Sequence, residues 1–232
     1  MISQLAAFAA RRYSVAVSKM CHSRTICASL LAVLAGLLPL MPGPVATAAG
    51  YPLDQSSGVI DDAVDYLLDE QDSDGSIGGF AISAWVVMAL AAADVDPNGC
   101  AVGSGDSIVE FLQDNLDEVE DATNLSTGYA RIILAAIAAN EDPSAFGSYS
   151  GGTVSDGDFV EGLQDLFDGT QFEDGFGSTE TLNDDFWAVI ALEAAGEPVD
   201  SHVIDWILEN QNGDGGWSWV VGDDSDVDDT AA

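Results

Sequence analysis

From residue 57 onward, apolar positions recur at three- and four-residue spacing rather than in alternation, which is the pattern of helices and not of strands. Two kinds of helix alternate along the chain. In one, an apolar stripe runs between carboxylates, with Val64, Leu67 and Leu68 in an early example and Val203, Ile204, Ile207 and Leu208 in a later one. In the other, the segment is apolar almost all round and rich in alanine: AWVVMALAAAD (Ala84–Asp94), ARIILAAIAAN (Ala130–Asn140) and FWAVIALEAAG (Phe186–Gly196). A helix of this second kind has no face for solvent and has to be enclosed on both sides. Pro97, Pro143 and Pro198 follow the three segments and stop them, since proline cannot continue a helix. The pattern predicts helices over 57–70, 80–94, 105–118, 125–140, 157–169, 184–196 and 200–210, with an eighth starting near Asp228.

The segments between paired helices repeat. Gln71 to Gly75 (QDSDG), Gln171 to Gly175 (QFEDG) and Gln211 to Gly215 (QNGDG) share the form Q-x-x-D-G, and Tyr66–Glu70 aligns over Trp206–Asn210 just upstream. The unit is an amphipathic helix, an acidic glycine turn, an apolar helix and a proline-bearing loop. Such units stack, so the expected fold is all-α: an outer row of amphipathic helices around an inner row of buried ones, in a curved or closed α/α array.

Composition changes the picture outside the helices. Forty acidic side chains face five basic ones, for a formal net charge of −35. All the acids lie after residue 50, whereas Arg11, Arg12, Lys19 and Arg24 lie before it, so a single base, Arg131, accompanies the whole acidic region. Nucleic-acid binding needs a basic footprint and is excluded, as is docking of this region on an anionic membrane surface. The 47% hydrophobic content argues for a packed core and against disorder. A surface so dense in carboxylates repels itself unless salt screens it, which is the signature of a protein from an extreme halophile.

The first fifty residues read as a signal peptide over 1–49. A basic stretch precedes the apolar run Ile26–Leu40, and Ala46-Thr47-Ala48 fits the small-x-small cleavage rule. The run is short for a membrane span. The rest, 50–232, is expected as one exported domain, extracellular or at the cell surface. It holds one cysteine, Cys100, and one histidine, His202, so neither a disulfide framework nor a zinc cluster is expected, and no metal or cofactor.

Gln211-Asn212-Gly213-Asp214-Gly215-Gly216-Trp217 has the Q-x-x-x-G-x-W form of the QW repeat and resembles the terpenoid cyclase and protein prenyltransferase superfamily, including the squalene–hopene cyclases. That resemblance covers about residues 57–232 and implies an α/α toroid, here an incomplete barrel or arc that stops at residue 232 as though truncated. It gives Gln71, Gly75, Gln171, Gly175, Gln211, Gly215 and Trp217 a structural role: the glutamine caps a helix end and the aromatic ring stacks on it. Asp226-Val227-Asp228-Asp229-Thr230-Ala231 resembles the D-x-D-D-T-A motif of the cyclases, which implies Asp228 as the acid that protonates a polyene, with Asp226 and Asp229 beside it. Clustered carboxylates keep one member protonated, and the chemistry requires that. The same residues also suit a helix N-cap. The zinc ligands of the prenyltransferases and the thioester stretch of other toroid members have no counterpart; Gly99-Cys100-Ala101-Val102 does not match the latter.

The sequence therefore favours a domain that binds or scaffolds, with an unidentified small molecule or cell-surface protein as partner. The class II cyclase is the alternative. Aromatic and cationic residues of the apolar segments, Trp85, Tyr129, Arg131 and Trp187, are the ligand-binding candidates, with Arg131 expected in a buried ion pair. Asn124-Leu125-Ser126 is a glycosylation sequon and also a helix start. The charge pattern makes a prediction for circular dichroism: a cooperative helical melt in about 4 M KCl that is lost or strongly lowered in about 0.2 M KCl, where the Debye length approaches 8 Å.

Overall fold

The computed structural model describes residues 57–121, 124–173 and 181–231. The signal-peptide assignment (1–49) and Gly175 lie outside these residues. The described chain is all-α. In order it forms α1 (Gly58–Asp69), α2 (Phe80–Ala92), α3 (Ile108–Asp114), α4 (Leu125–Ala138), α5 (Phe159–Gln164), α6 (Asn183–Ala195), α7 (Ser201–Glu209) and α8 (Val227–Ala231), with 3-10 turns at Pro97–Gly99 and Leu116–Asp121. Extended pairing among the described residues is confined to isolated bridges such as Thr181 with Val220.

Short polar side chains set most helix starts. Ser107 and Glu110 form a reciprocal capping box on α3. The Oδ1 atoms of Asn124, Asp158 and Asp200 accept from Thr127 N (3.0 Å), Glu161 N (2.9 Å) and His202 N (2.9 Å). Two helices are shorter than their periodicity predicts. The segment 105–118 is α-helical only from Ile108 to Asp114 before passing into the 3-10 turn at Leu116, because the capping box begins at Ser107 and Asn115 donates to Phe111 O at 2.8 Å, taking a last-turn carbonyl. The segment 157–169 is reduced to Phe159–Gln164: Gly157 stands at φ 78°, and beyond α5 the Asp168 carboxylate accepts from Thr170 N and Gln171 N and turns the chain.

The three alanine-rich helices lie together as one row. α4 packs against both α2 and α6, while α3 backs α2, α5 backs α4 and α7 backs α6. Close approach is possible because the contact positions are small: Gly128, Ala130, Ala135 and Ala136 of α4, Ala84 and Ala91 of α2, and Ala188 and Ala191 of α6 are buried. The larger apolar residues Leu90, Ile132, Ile133 and Leu192 fill the spaces between rows. Val64, Leu67 and Leu68 of α1 pack half-buried on this core. On α7 the predicted stripe is only partly covered, since Val203 is buried but Ile204 and Leu208 are exposed.

The Q-x-x-D-G turns at Gln71 and Gln211 have one geometry. Gln71 Nε2 donates to Gly75 O at 3.0 Å and Gln211 Nε2 donates to Gly215 O at 2.7 Å. In each turn the residue after the glutamine donates its N–H to a carbonyl four residues on, Ser76 or Gly216, and the Asp74 or Asp214 carboxylate accepts from that same residue's N–H. Gly75 and Gly215 close the turns at φ 89° and 90°. At Gly75 a side chain is excluded twice over, because a Cβ there would stand 2.5 Å from Ser107 O. Trp217 then ties the last hairpin together: its Nε1 donates to Ile207 O of α7 at 2.7 Å, and its ring meets Phe186 of α6 edge-on at 6.4 Å.

The two glutamines differ in surroundings. Gln71 is buried and also donates to Cys100 O at 3.0 Å, whereas Gln211 is exposed. In urea melts, Gln71→Ala should therefore lose about 1–3 kcal/mol by leaving buried carbonyls short of a donor, and Gln211→Ala less than about 1 kcal/mol.

Candidate functional site

Trp85 on α2, Arg131 on α4 and Trp187 on α6 hold the same position in the three aligned apolar segments, the second residue of each. Because α2 and α6 both lie against α4, the three side chains meet. The Trp85 and Trp187 rings are 5.2 Å apart at 68°, an edge-to-face pair, and the Arg131 guanidinium carbon lies 5.8 Å from the Trp85 ring centroid, over its face. Trp187 is fixed further by Asn183, whose Oδ1 accepts from its Nε1 at 3.1 Å.

Arg131 is not in the expected ion pair. Among the described residues the only charge contact within 4.0 Å is His202 with Asp200, and Arg131 Nε is buried without a hydrogen-bond partner. Burial lowers its pKa from the ordinary value, although a guanidinium stays charged at any working pH. The helix geometry explains the miss. Arg131 lies over the Trp85 ring and beside a cleft whose one carboxylate, Glu118, makes no contact with it within 4.0 Å.

A second polar group lies one turn earlier on α6. Asp184 and Asp185 are both fully buried. They do not act as the N-cap that the Asn183-Asp184-Asp185 string suggests: that place is held by Leu182, and no side chain caps the helix. Asp185 instead ties three elements together, accepting from Phe172 N at 2.7 Å and from Trp206 Nε1 of α7 at 3.0 Å. Burial, reinforced by Asp184, pushes its pKa up to about 8 despite these donors. Asp184 accepts from Thr181 Oγ1 at 2.9 Å and is likewise raised by burial. The sequence carries one usable signal for this pair, two carboxylates at the head of a helix whose residues are otherwise apolar almost all round.

The D-x-D-D-T-A string frames a cleft of about 290 Å³ lined by Asn183, Trp187, Trp219, Asp226, Asp228 and Asp229. Asp226 caps α8 by accepting from Asp229 N at 2.8 Å, which lowers its own pKa. Asp228, the residue the cyclase resemblance points to, is exposed. The perturbed carboxyl is Asp229, 5% exposed and pushed up to about 7 by burial and by its contact with Asp226. Thr230 Oγ1 accepts from Trp217 N at 3.0 Å, so this string also anchors the last turn.

The remaining candidates are elsewhere. Tyr129 faces away from the tryptophans, fully buried and edge-on to Phe159 of α5 at 5.7 Å, as a core residue. Asn124 is half-buried with its Oδ1 engaged as the α4 cap. Among the described residues no group of three or more His, Cys, Asp or Glu side chains is arranged to hold a metal ion, and no helix is long and apolar enough to cross a membrane. Compared with family models, curated proteins and solved structures, the chain finds no match in any of the three.

The two raised carboxyls have a consequence for pH. Their pKa values stand above the ordinary 3.8, at about 8 for Asp185 and about 7 for Asp229, so across that interval the folded chain holds protons that the unfolded chain releases. The stability they contribute is complete only below about pH 4, where the unfolded carboxyls are protonated too; it falls steadily as pH rises and is gone above about 7 for Asp229 and about 8 for Asp185. The melting temperature of Asp229→Asn should match wild type near pH 3.5, draw ahead of it by a few degrees as pH rises to about 7, and gain no more above that, read at one fixed salt concentration.

Proposed function

We propose that the chain is an exported, cell-surface α/α-toroid repeat domain, resembling the prenyltransferase and squalene-cyclase repeats, that binds or scaffolds and does not catalyse. An arc of hairpins offers its inner row as a binding surface. The observation that carries this reading is the convergence of Trp85, Arg131 and Trp187 from three successive inner helices, with Trp85 41% exposed. A large ring left open to solvent, with the half-buried Trp187 ring and a charge beside it, is a recognition surface rather than a core. The partner is a small molecule or a cell-surface protein.

Against catalysis stands the position of Asp228. An acid strong enough to protonate a double bond has to be shielded from water, and this one is exposed. A class II cyclase remains the second reading because of Asp229, a buried carboxyl with a pKa of about 7 in a cleft that also contains Trp187 and Trp219. Incubating the purified full chain with squalene at high salt and analysing the extract by mass spectrometry separates the two. No cyclised product is expected. A product that Asp228→Asn or Asp229→Asn abolishes would overturn the non-catalytic reading.

A further inference from the structure

We propose that Arg131 is the anchor of a binding site for a small apolar monocarboxylate, seated in the cleft between the start of α2 and the first turns of α4. This deepens the reading of the inner row as a binding surface. The cleft measures about 360 Å³ and is lined by Gly78–Ile82, Glu118, Val119, Gly128 and Arg131.

Three independent features converge on it. The first is charge. Arg131 is the one Lys or Arg among the described residues; it makes no ion pair with any described carboxylate, and its Nε is buried without a hydrogen-bond partner. A partly buried cation without a counterion is destabilising, and a ligand carboxylate supplies the missing partner in the bidentate geometry that a guanidinium favours. The second is rigidity. The cation–π contact with Trp85, 5.8 Å from guanidinium carbon to ring centroid, holds the group in place before any ligand arrives. The third is the first turn of α2. Its N-cap is Gly79, no side chain caps it and no acid lies in that turn, so its positive dipole end lines the same cleft unneutralised.

The rest of the lining decides between anions. Phe80, Ala81, Ile82, Val119 and Gly128 present carbon, and only one guanidinium is available, which suits a single negative charge on an apolar body. A phosphate dianion asks for more donors and would lie near Glu118, an exposed carboxylate on the rim.

Saturation-transfer NMR of potassium benzoate with the full chain, in fixed high KCl, tests the assignment. Wild type should give a saturable signal, with benzamide about tenfold weaker because it lacks the charge. Inorganic phosphate should fail to displace benzoate at equal concentration. Arg131→Gln should weaken benzoate at least about tenfold. Ala81→Asp is the second variant: residue 81 is exposed in the first turn of α2, where an aspartate favours the helix, so the fold is retained while the new carboxylate occupies the site. Benzoate binding unchanged in a folded Ala81→Asp chain, equal binding of benzamide, or displacement by phosphate would each overturn the proposal. Asp229-dependent squalene cyclisation would leave this titration unaffected, so the two readings fail separately.

Discussion

Everything that distinguishes this chain follows from how closely α4 can approach its two neighbours. Buried glycine and alanine on α4 let α2 and α6 both lie against it, close enough for Trp85 and Trp187 to touch. With larger side chains there, the inner row would open and equivalent positions on successive helices would no longer touch. As built, residue positions that are 46 and 56 apart in sequence, at Trp85, Arg131 and Trp187, come together on one surface. The site is thus a product of repetition: one position in the unit, presented three times by a packing that small residues permit.

The scarcity of cations shapes the interior as well as the surface. A buried carboxylate is normally neutralised by a lysine or an arginine. Here the one Lys or Arg among the described residues lies over Trp85, away from these acids, so Asp185 and Asp229 reduce their charge by holding protons, with pKa values of about 8 and 7. Asp185 nonetheless does what a structural acid should. It joins the turn after α5 to α6 and α7 through Phe172 and Trp206. Asp74, Asp214 and Asp226, which close turns or cap a helix at the surface, are instead held below the ordinary carboxylate value by the N–H and O–H groups they accept from. The same residue type therefore plays opposite electrostatic roles according to burial.

The turns explain why the repeat persists while its residues drift. Gln71 and Gln211 close turns of the same shape, yet only the first is buried, and the aromatic place that Trp217 occupies in the last unit is taken by Ile77 in the first. Backbone geometry does the shared work, through a glycine at positive φ and an aspartate that accepts from the N–H two residues on. The side chains then adapt to what each hairpin meets. Trp217 ties α6 to α7, while Ile77 N–H bonds to Ser83 Oγ at the start of α2.

Periodicity and turn chemistry are local, and they were enough to locate α1 to α8, to separate the alanine-rich helices from the amphipathic ones, and to find the Q-x-x-D-G units; they wrongly enclosed α2 on all sides, since Ile82 and Trp85 are exposed. They also singled out Trp85, Arg131 and Trp187 by residue type, because an aromatic or a cation on an otherwise aliphatic helix is conspicuous. They did not determine which of those residues meet. Tyr129 and Arg131 are two positions apart on one helix and so point to different neighbours, one into the core against Phe159 and the other along the inner row over Trp85. Nor could they say which aspartate of a run is dry: Asp228 and Asp229 are adjacent, but the direction in which α8 leaves the last turn exposes one and buries the other. Burial and partnership depend on how helices distant in sequence are set against each other, and that is decided only when the chain is packed.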